Sequence, residues 1–294
     1  MNVLSLFDGM SCGQIALNKA GIKYNNYFAS EIKKHAIEVT QHNYPNTIQL
    51  GDVTKIKASD LPKIDFLIGG SPCQDFSSQN KERKGLEGLK SNLFYEYLRL
   101  LNEIREINPD VLFLLENVKM LPKHYASLSN YMECTPFETN GNLVSAANRY
   151  RLFWTNIGPY YNDMFGFKHS LIPQPKDKKI SLQSILTSGY TDRNKSNAIK
   201  TANGFTISKE LEKNKSFVKR RYFDSGFDNI VFNSPDFDIS KGFRFYNKTE
   251  LERLHNIPNG YMNDLTTKKA HDLIGDGWTV DIIVHIFSFI PPLQ

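Results

Sequence analysis

Cysteine is scarce in this chain of 294 residues, which contains Cys12, Cys73 and Cys134 and no others. An odd number of cysteines without a CxxC pair excludes a disulfide framework and a four-cysteine zinc site. In a reducing compartment, each cysteine is therefore either a small core residue or a reactive thiol.

Long apolar runs are also absent. The opening stretch MNVLSLFDGM is interrupted by Asp8 and has no basic region before it, unlike a signal peptide. The most apolar late segment, 282–290, contains His285 and is shorter than the roughly 20 residues that span a bilayer. We therefore expect a cytoplasmic protein that does not act on membranes.

Neither of the common phosphate-binding glycine motifs is present. The first loop, FDGMSCG at 7–13, has glycines four apart, but it is neither a GxGxxG motif nor a Walker A loop. The missing GxGxxG argues against a nicotinamide-linked oxidoreductase. Because glycine lets a ligand approach the backbone closely, the loop still favours a nucleoside cofactor, one without a pyrophosphate.

Composition by itself assigns no function. Hydrophobic residues make up 40% of the chain and charged residues 23%, as in ordinary globular proteins. The net charge of +5 suits a polyanionic partner such as nucleic acid, but many basic proteins bind none.

The first half of the chain alternates short apolar runs with amphipathic segments. Predicted strands cover 3–7, 27–29, 64–68 and 111–115, and predicted helices cover 14–19, 32–42 and 92–107. This pattern predicts an α/β protein with a doubly wound, mostly parallel sheet covered on both faces. Ligands of such sheets bind outside the carboxyl ends of the strands, so polar residues there are the candidate site.

Two acidic residues follow predicted strands. Glu31 is placed to accept hydrogen bonds from ribose hydroxyls, and Asp52 to bind an adenine amino group. The alternative is a plain tight turn with two surface acids.

Two further strand ends carry candidates for chemistry. Cys73 follows the turn Gly69-Gly70-Ser71-Pro72, where a rigidly held thiolate would meet substrate. Glu116 follows the next predicted strand and is a candidate general acid beside Cys73. The alternative for Cys73 is a buried structural cysteine.

Basic residues supply the remaining candidates. Arg149 and Arg151 precede an apolar run, and alternation predicts that both point to one side, towards a polar ring or a phosphate. Lys219, Arg220 and Arg221 lie in a Lys- and Asn-rich region with recurring aromatics. Solvated arginines and a solvated basic surface are the respective alternatives.

The ordered motifs resemble the DNA (cytosine-5)-methyltransferase family, most closely its de novo vertebrate-type branch and similar bacterial and viral enzymes. The matching segments are LFDGMSCG, ASEI, GDV, IGGSPCQDFS, RKGLEG, LLENVKM, SAANRYRLFWTNI and GDGWTVDIIVHIF. The resemblance implies a sheet of the S-adenosylmethionine-dependent methyltransferase type, formed by 1–158 and 242–294. The region 159–241 would be a smaller target-recognition insertion, with Lys219, Arg220 and Arg221 on DNA.

The same resemblance implies residue roles. Cys73 would attack carbon 6 of a cytosine flipped out of double-stranded DNA, and Glu116 would hold ring nitrogen 3 and the exocyclic amine. Arg149 and Arg151 would fix the base and the nearby backbone. The residues implied to bind S-adenosylmethionine are Phe7, Asp8, Gly9, Glu31, Ile32, Asp52, Val53, Leu93 and Trp278.

Two other functions compete with this one. An RNA cytosine methyltransferase would use similar chemistry, but the transfer-RNA member of the family has a different tripeptide after its proline-cysteine, so Gln74 favours DNA. A catalytically inactive DNA-binding regulator is the second. Four intact residues argue against it, namely Cys73, Glu116, Arg149 and Arg151. A cognate restriction enzyme is a candidate partner, but the sequence does not identify one.

Overall fold

The computed structural model describes residues 1–71, 92–199 and 230–291. Four of the predicted site residues lie outside these ranges, namely Cys73, Lys219, Arg220 and Arg221.

In the described part of the chain, a seven-stranded sheet has the order β3-β2-β1-β4-β5-β7-β6. Its strands are β1 (Asn2–Leu6), β2 (Asn26–Ser30), β3 (Ile48–Gln49), β4 (Phe66–Gly70), β5 (Leu112–Val118), β6 (Phe137–Asn140) and β7 (Tyr150–Thr155). The strands β1 to β5 pair in parallel, and β7 pairs antiparallel with β5. The predicted doubly wound, mostly parallel sheet is confirmed. Its strand order reverses between β1 and β4, which is where such sheets bind ligands.

Helices flank this sheet and supply much of its core. They are α1 (Cys12–Lys19), α2 (Lys34–Asn43), α3 (Asn92–Ile107), α4 (Pro122–Met132), α5 (Leu182–Ile185), α6 (Lys248–Leu254), α7 (Thr267–Asp276) and α8 (Val280–Phe287). The apolar face predicted for α3 is buried at Tyr97, Leu101 and Ile104, which pack in the main core. Smaller hairpins are formed by β8 (Tyr160–Asn162) with β9 (Lys168–Ser170) and by β10 (Ile230–Phe232) with β11 (Phe243–Phe245).

Strand β5 is longer than its sequence predicts. The apolar run ends at Leu115, but the strand continues to Val118, so Glu116 lies within it rather than after it. The strand extends to Val118 because of a tertiary contact: β7 pairs with this end of β5 and places Phe153 opposite Glu116.

The chain divides into two compact units. Unit 1 comprises 1–139, 150–174 and 283–294, and unit 2 comprises 140–149 and 175–282. Most of 242–294 thus clusters with the predicted insertion rather than with the sheet. The functional division at 158 and 242 stays a prediction, since compactness does not report which residues recognise DNA. Among the helices of the described ranges, none is long and apolar enough to cross a membrane.

Candidate active site

The loop after β1 has an unusual backbone. Phe7, Gly9 and Ser11 all have positive φ, at 56°, 59° and 61°. Glycine adopts this conformation freely, but Phe7 and Ser11 do so only at a cost, which is typical of functional loops. Gly13 is needed for a different reason, since a Cβ there would lie 2.4 Å from Cδ1 of Ile68. The first turn of α1 therefore packs directly on β4.

Asp8 is held inside this loop. Its Oδ2 accepts a hydrogen bond from Oγ of Ser11 at 2.7 Å, and its Oδ1 accepts one from the hydroxyl of Tyr27 at 2.8 Å. Burial raises the pKa of the Asp8 carboxyl from 3.8 to about 6, against the lowering effect of these hydrogen bonds. Both carboxylate oxygens already have donors within unit 1. Because Asp8 is also buried, unlike Glu31, its side chain shapes the loop from inside.

The hydrogen-bond network behind Asp8 extends further than the sequence indicates. Nε2 of Gln14 donates to Oγ of Ser11 at 2.9 Å and to Oγ1 of Thr47 at 2.7 Å. Oε1 of Gln14 accepts a hydrogen bond from the Tyr24 hydroxyl at 3.0 Å. Sequence reasoning missed these residues and Tyr27. No local signal marks them, because Tyr27 lies 19 positions from its acceptor Asp8.

Glu31 joins the first two strand ends. Its Oε2 accepts a hydrogen bond from the backbone N–H of Gly9 at 2.8 Å, and its Oε1 accepts from the N–H groups of Ile32 and Lys33. Beside it, the Ile32 side chain is 75% exposed. A fixed carboxylate next to an exposed aliphatic surface fits the hydroxyls and the flat base of a nucleoside.

Asp52 stands after β3 and caps a short 3-10 helix, Val53–Lys55. Its Oδ1 accepts hydrogen bonds from the backbone N–H and the hydroxyl of Thr54, and the backbone bond chiefly lowers the pKa of Asp52. The exposed carboxylate thus stays charged near neutral pH and offers Oδ2 to an amino group. Val53 itself is buried in the core, which limits it to backbone contacts with a ligand.

The structure brings several predicted cofactor residues together. Gly9, Glu31 and Asp52 follow β1, β2 and β3, three adjacent parallel strands. Phe7 and Leu93 are partly buried against the main core of unit 1. Trp278 belongs to unit 2, where it follows Gly277, the C-cap of α7. The residues that follow these three strands therefore fit a nucleoside cofactor as a group. Glu31 and Ile32 also fit one when each is considered separately.

A carboxylate and a guanidinium pair at the carboxyl end of β5. Oε1 of Glu116 lies 2.7 Å from Nε of Arg151, and both side chains are largely buried. The pair is diagonal across β5 and β7, since Glu116 faces Phe153 and Arg151 faces Val118. Although the two atoms are close, Nε is not aligned for a hydrogen bond, so the contact is an electrostatic one.

Asn117 connects this end of β5 to the end of β4. Its side-chain Nδ2 donates to Oγ of Ser71 at 3.0 Å, and its Oδ1 accepts from the N–H of Val118. Gly70, the last residue of β4, is in register with Glu116. Ser71, which precedes Cys73 by two residues in the sequence, thus lies at a strand end that adjoins Glu116.

Arg149 differs from Arg151 in its surroundings. Arg149 precedes β7, so the alternation of side chains along a strand does not apply to it. Alternation therefore does not support the expectation that the guanidinium groups of Arg149 and Arg151 point to one side. The side chain is 4% exposed, and its Nη2 donates to the carbonyl oxygens of Gly277 and Gly275 at 2.6 and 3.1 Å. These partners lie in the same unit, at the end of α7.

Solved structures with the same fold are methyltransferases. The Entamoeba histolytica methyltransferase EhMeth superposes with a TM-score of 0.71 at 13% identity, covering 98% of this chain and 97% of that one. Spodoptera frugiperda DNMT2 superposes with a TM-score of 0.62 at 15% identity, covering 98% of each. The superpositions show that this chain shares the fold of these proteins.

Sequence comparison then gives the family. The model for C-5 cytosine-specific DNA methylase matches residues 1–291, and the chain belongs to that family. The type II methyltransferase M1.ScrFI of Lactococcus lactis subsp. cremoris is 26% identical, covering 96% of this chain and 75% of that enzyme. The orphan methyltransferase M.SPRI of Bacillus phage SPR is 39% identical over 126 residues, or 42% of this chain. Those matches span 28% of the phage SPR enzyme and 24% of the related phage rho11s enzyme.

Family membership confirms the resemblance that the motifs indicated. It also confirms S-adenosylmethionine as the cofactor.

Proposed function

We propose that this protein transfers a methyl group to carbon 5 of cytosine in double-stranded DNA, with Cys73 as a covalent nucleophile. The observation that carries the proposal is the Glu116–Arg151 pair, buried where β5 ends beside β4. In the sequence, Cys73 follows Ser71 by two residues. Membership of a cytosine-specific DNA methylase family supports the same chemistry.

The reaction begins with addition to the base. The Cys73 thiolate bonds to carbon 6 of cytosine, and the electron pair of the 5,6 double bond moves towards carbon 5. When bound, S-adenosylmethionine supplies a methyl group from its sulfonium. After carbon 5 is methylated, a base removes its proton, the double bond re-forms, and the carbon–sulfur bond to Cys73 breaks. The thiolate is thereby regenerated.

Glu116 and Arg151 hold the ring during this addition. The Arg151 guanidinium contacts one carboxylate oxygen of Glu116. This contact also sets the direction of the second carboxylate oxygen. Glu116 binds the edge of cytosine that carries nitrogen 3 and the exocyclic amine, and thereby stabilises the charge that develops after the thiolate adds. Arg151 contacts the base or its backbone with its remaining donors.

The cofactor pocket is assigned to the loops after β1, β2 and β3. Glu31 binds the ribose hydroxyls, Ile32 packs on the adenine, and Asp52 accepts a hydrogen bond from the adenine amine. Val53 contributes its backbone, while Phe7, Gly9 and Leu93 line the remaining wall. Asp8 supports the loop from inside, and the family resemblance assigns Trp278 to the cofactor.

DNA is the proposed substrate, with the target cytosine flipped out of the duplex. The region 159–241 is the proposed target-recognition region, and Lys219, Arg220 and Arg221 are its proposed DNA contacts. A cognate restriction enzyme remains a candidate partner. The RNA enzyme and the inactive regulator remain the alternatives that the next experiment separates.

Base-resolution mapping of 5-methylcytosine in a methylation-deficient bacterial host tests the proposal. Cells expressing the chain should show methylation in a short recurrent DNA context, because target recognition is sequence-specific. Cells expressing Cys73→Ala should show none, because the proposed carbon 6 adduct forms on the Cys73 thiolate. Host RNA is mapped in parallel.

Cys134→Ala is the matched control. Cys134 is buried in the core of unit 1, where burial raises the pKa of its thiol to about 11, so it is not a nucleophile. Its variant should keep DNA methylation. Methylation that survives in Cys73→Ala would exclude the covalent role, and methylation confined to RNA would favour the RNA enzyme.

A further inference from the structure

The peptide group that joins Asp8 to Gly9 is held at both of its polar atoms. Its carbonyl oxygen, on Asp8, accepts a hydrogen bond from the N–H of Ser11 at 3.0 Å. Its N–H, on Gly9, donates to Oε2 of Glu31 at 2.8 Å. Because a peptide group is planar, the carbonyl and the N–H cannot turn independently. The orientation of Asp8 therefore sets the direction in which Gly9 meets Glu31.

Asp8 is attached to β2 at two points. Its backbone N–H donates to the carbonyl oxygen of Ser30 at 3.1 Å, and its Oδ1 accepts from the Tyr27 hydroxyl at 2.8 Å. Tyr27 is 2% exposed, and its strand pairs with both β1 and β3. One bond alone would leave Asp8 able to rotate about it, whereas two bonds to the same strand fix its orientation. The Tyr27 hydroxyl thus anchors the side chain of Asp8 to the sheet.

The loop that carries this peptide group needs such an anchor. Phe7 and Ser11, on either side of it, have positive φ of 56° and 61°, which costs free energy for residues other than glycine. Such a backbone persists only where surrounding contacts hold it. Loss of the Tyr27 hydroxyl would remove one of those contacts. The loop would then relax towards conformations in which the Gly9 N–H turns away from Glu31.

We propose that Tyr27 is a positioning residue for S-adenosylmethionine: its hydrogen bond to Asp8 sets the direction of the Gly9 N–H. That N–H in turn holds the carboxylate of Glu31 in place for the cofactor. This role rests on the proposed contact between Glu31 and the ribose hydroxyls. Because Tyr27 is buried and its hydroxyl is bonded to Asp8, it acts through Asp8 rather than on the cofactor itself. All four residues belong to unit 1, so the series of contacts is complete within that unit.

Calorimetric titration of the purified full chain with S-adenosylmethionine, without DNA, measures this effect. Tyr27→Phe removes only the hydroxyl, and it should weaken cofactor binding about tenfold. Tyr24→Phe is the matched control, since it removes the same atom from a tyrosine whose hydroxyl donates to Oε1 of Gln14 at 3.0 Å instead. Gln14 keeps its own bond to Ser11, so the Tyr24 variant should bind the cofactor within about twofold of the wild type.

A double-mutant cycle with Glu31→Gln shows whether Tyr27 acts through the contact between Gly9 and Glu31. Each single variant should weaken cofactor binding. The double variant should lose less than the product of the two factors, because both changes disturb one contact. In steady-state kinetics, Tyr27→Phe should raise the KM for S-adenosylmethionine with little fall in kcat, which general loss of structure would not produce.

Unchanged cofactor affinity in Tyr27→Phe, with weakened binding in Glu31→Gln, would overturn the role of Tyr27 alone. Strict additivity in the cycle, or an equal loss of affinity in Tyr24→Phe, would overturn it as well. Unchanged affinity in Glu31→Gln would overturn the proposed cofactor contact, and the role of Tyr27 with it. If Tyr27→Phe does not fold, Ser11→Ala, which removes the other donor to Asp8, takes its place in each comparison.

Discussion

Individual residues of the candidate site owe their properties to partners far away in the chain. Asp8 shows this clearly, because a carboxyl at a strand end is ordinarily an exposed and charged ligand. Here Tyr27 and Ser11 occupy both of its oxygens, and burial raises its pKa to about 6. The sequence predicts that Asp8 follows the first strand, and its role in the cofactor pocket stays a prediction.

The raised pKa of Asp8 predicts a pH dependence of stability. The folded chain retains the proton on Asp8 between pH 3.8 and about 6, where the unfolded chain has released it. Stability contributed by Asp8 is therefore greatest below pH 3.8 and falls as the pH rises to about 6, by roughly 3 kcal/mol at most. Urea unfolding from pH 4.5 to 7.5 should show this decline in the wild type and not in Asp8→Asn.

Tyr27→Phe is the control for that measurement. It removes one hydrogen bond to Asp8 but leaves the titrating carboxyl buried, so the decline of stability with pH should persist. An unchanged slope in Asp8→Asn would mean that another group causes it.

At the scale of secondary-structure elements, strand ends decide which side chains meet. The apolar run that predicts β5 stops before Glu116, and pairing with β7 extends the strand through Val118. That extension places Glu116 opposite Phe153, diagonal to Arg151, and carries Asn117 to the end of β4. A strand partner that is distant in sequence thus builds this part of the candidate site.

The link between β5 and β4 can be measured with a double-mutant cycle. Asn117 is fully buried, and its variant Asn117→Ala should lower the free energy of unfolding by about 1–3 kcal/mol, because Ser71 loses its donor. Ser71→Ala removes the same bond from the other side. Denaturant unfolding of both single variants and the double variant should give a loss smaller than the sum.

Strict additivity in that cycle would mean that the Asn117–Ser71 bond contributes nothing. Thr155→Val is a suitable comparison within the same sheet. Its hydroxyl bonds to the carbonyl of Phe113 at 2.6 Å, away from Ser71, so it should add independently to Ser71→Ala.

At the scale of the whole molecule, the net charge of +5 is the property most relevant to a DNA substrate. The proposed recognition region holds three of the basic residues in a row, Lys219, Arg220 and Arg221. Replacing all three with alanine should weaken DNA binding. The dependence of log K on log salt should become shallower by about 0.9 for each lost phosphate contact. Fluorescence anisotropy with a duplex at several salt concentrations measures both.

A matched triple variant controls for charge alone. Lys19, Lys23 and Lys63 are exposed and precede β2 or β4, near the amino ends of the strands rather than the candidate site. Their replacement removes the same charge and should change the salt slope far less. Equal effects from the two triple variants would argue against a specific DNA contact at 219–221.

The amino-acid sequence by itself determined the sheet, its flanking helices and the family. Apolar periodicity is a local property, and the loops after β1 and β2 follow from where each apolar run ends. For the same reason Gly9 and Glu31 are predicted to follow strands, and in the structure Gly9, Glu31 and Asp52 follow three adjacent strands. Motif order fixed the family without any tertiary information.

Only the tertiary structure decided how the candidate side chains are used. The partners of Arg149 lie 126 and 128 residues away, and the acceptor of Tyr27 lies 19 residues away. No periodicity relates such positions, because hydrogen bonds and ion pairs form between whichever groups the packed elements bring together. The same holds for Glu116, whose ion pair with Arg151 exists because β7 returns antiparallel beside β5.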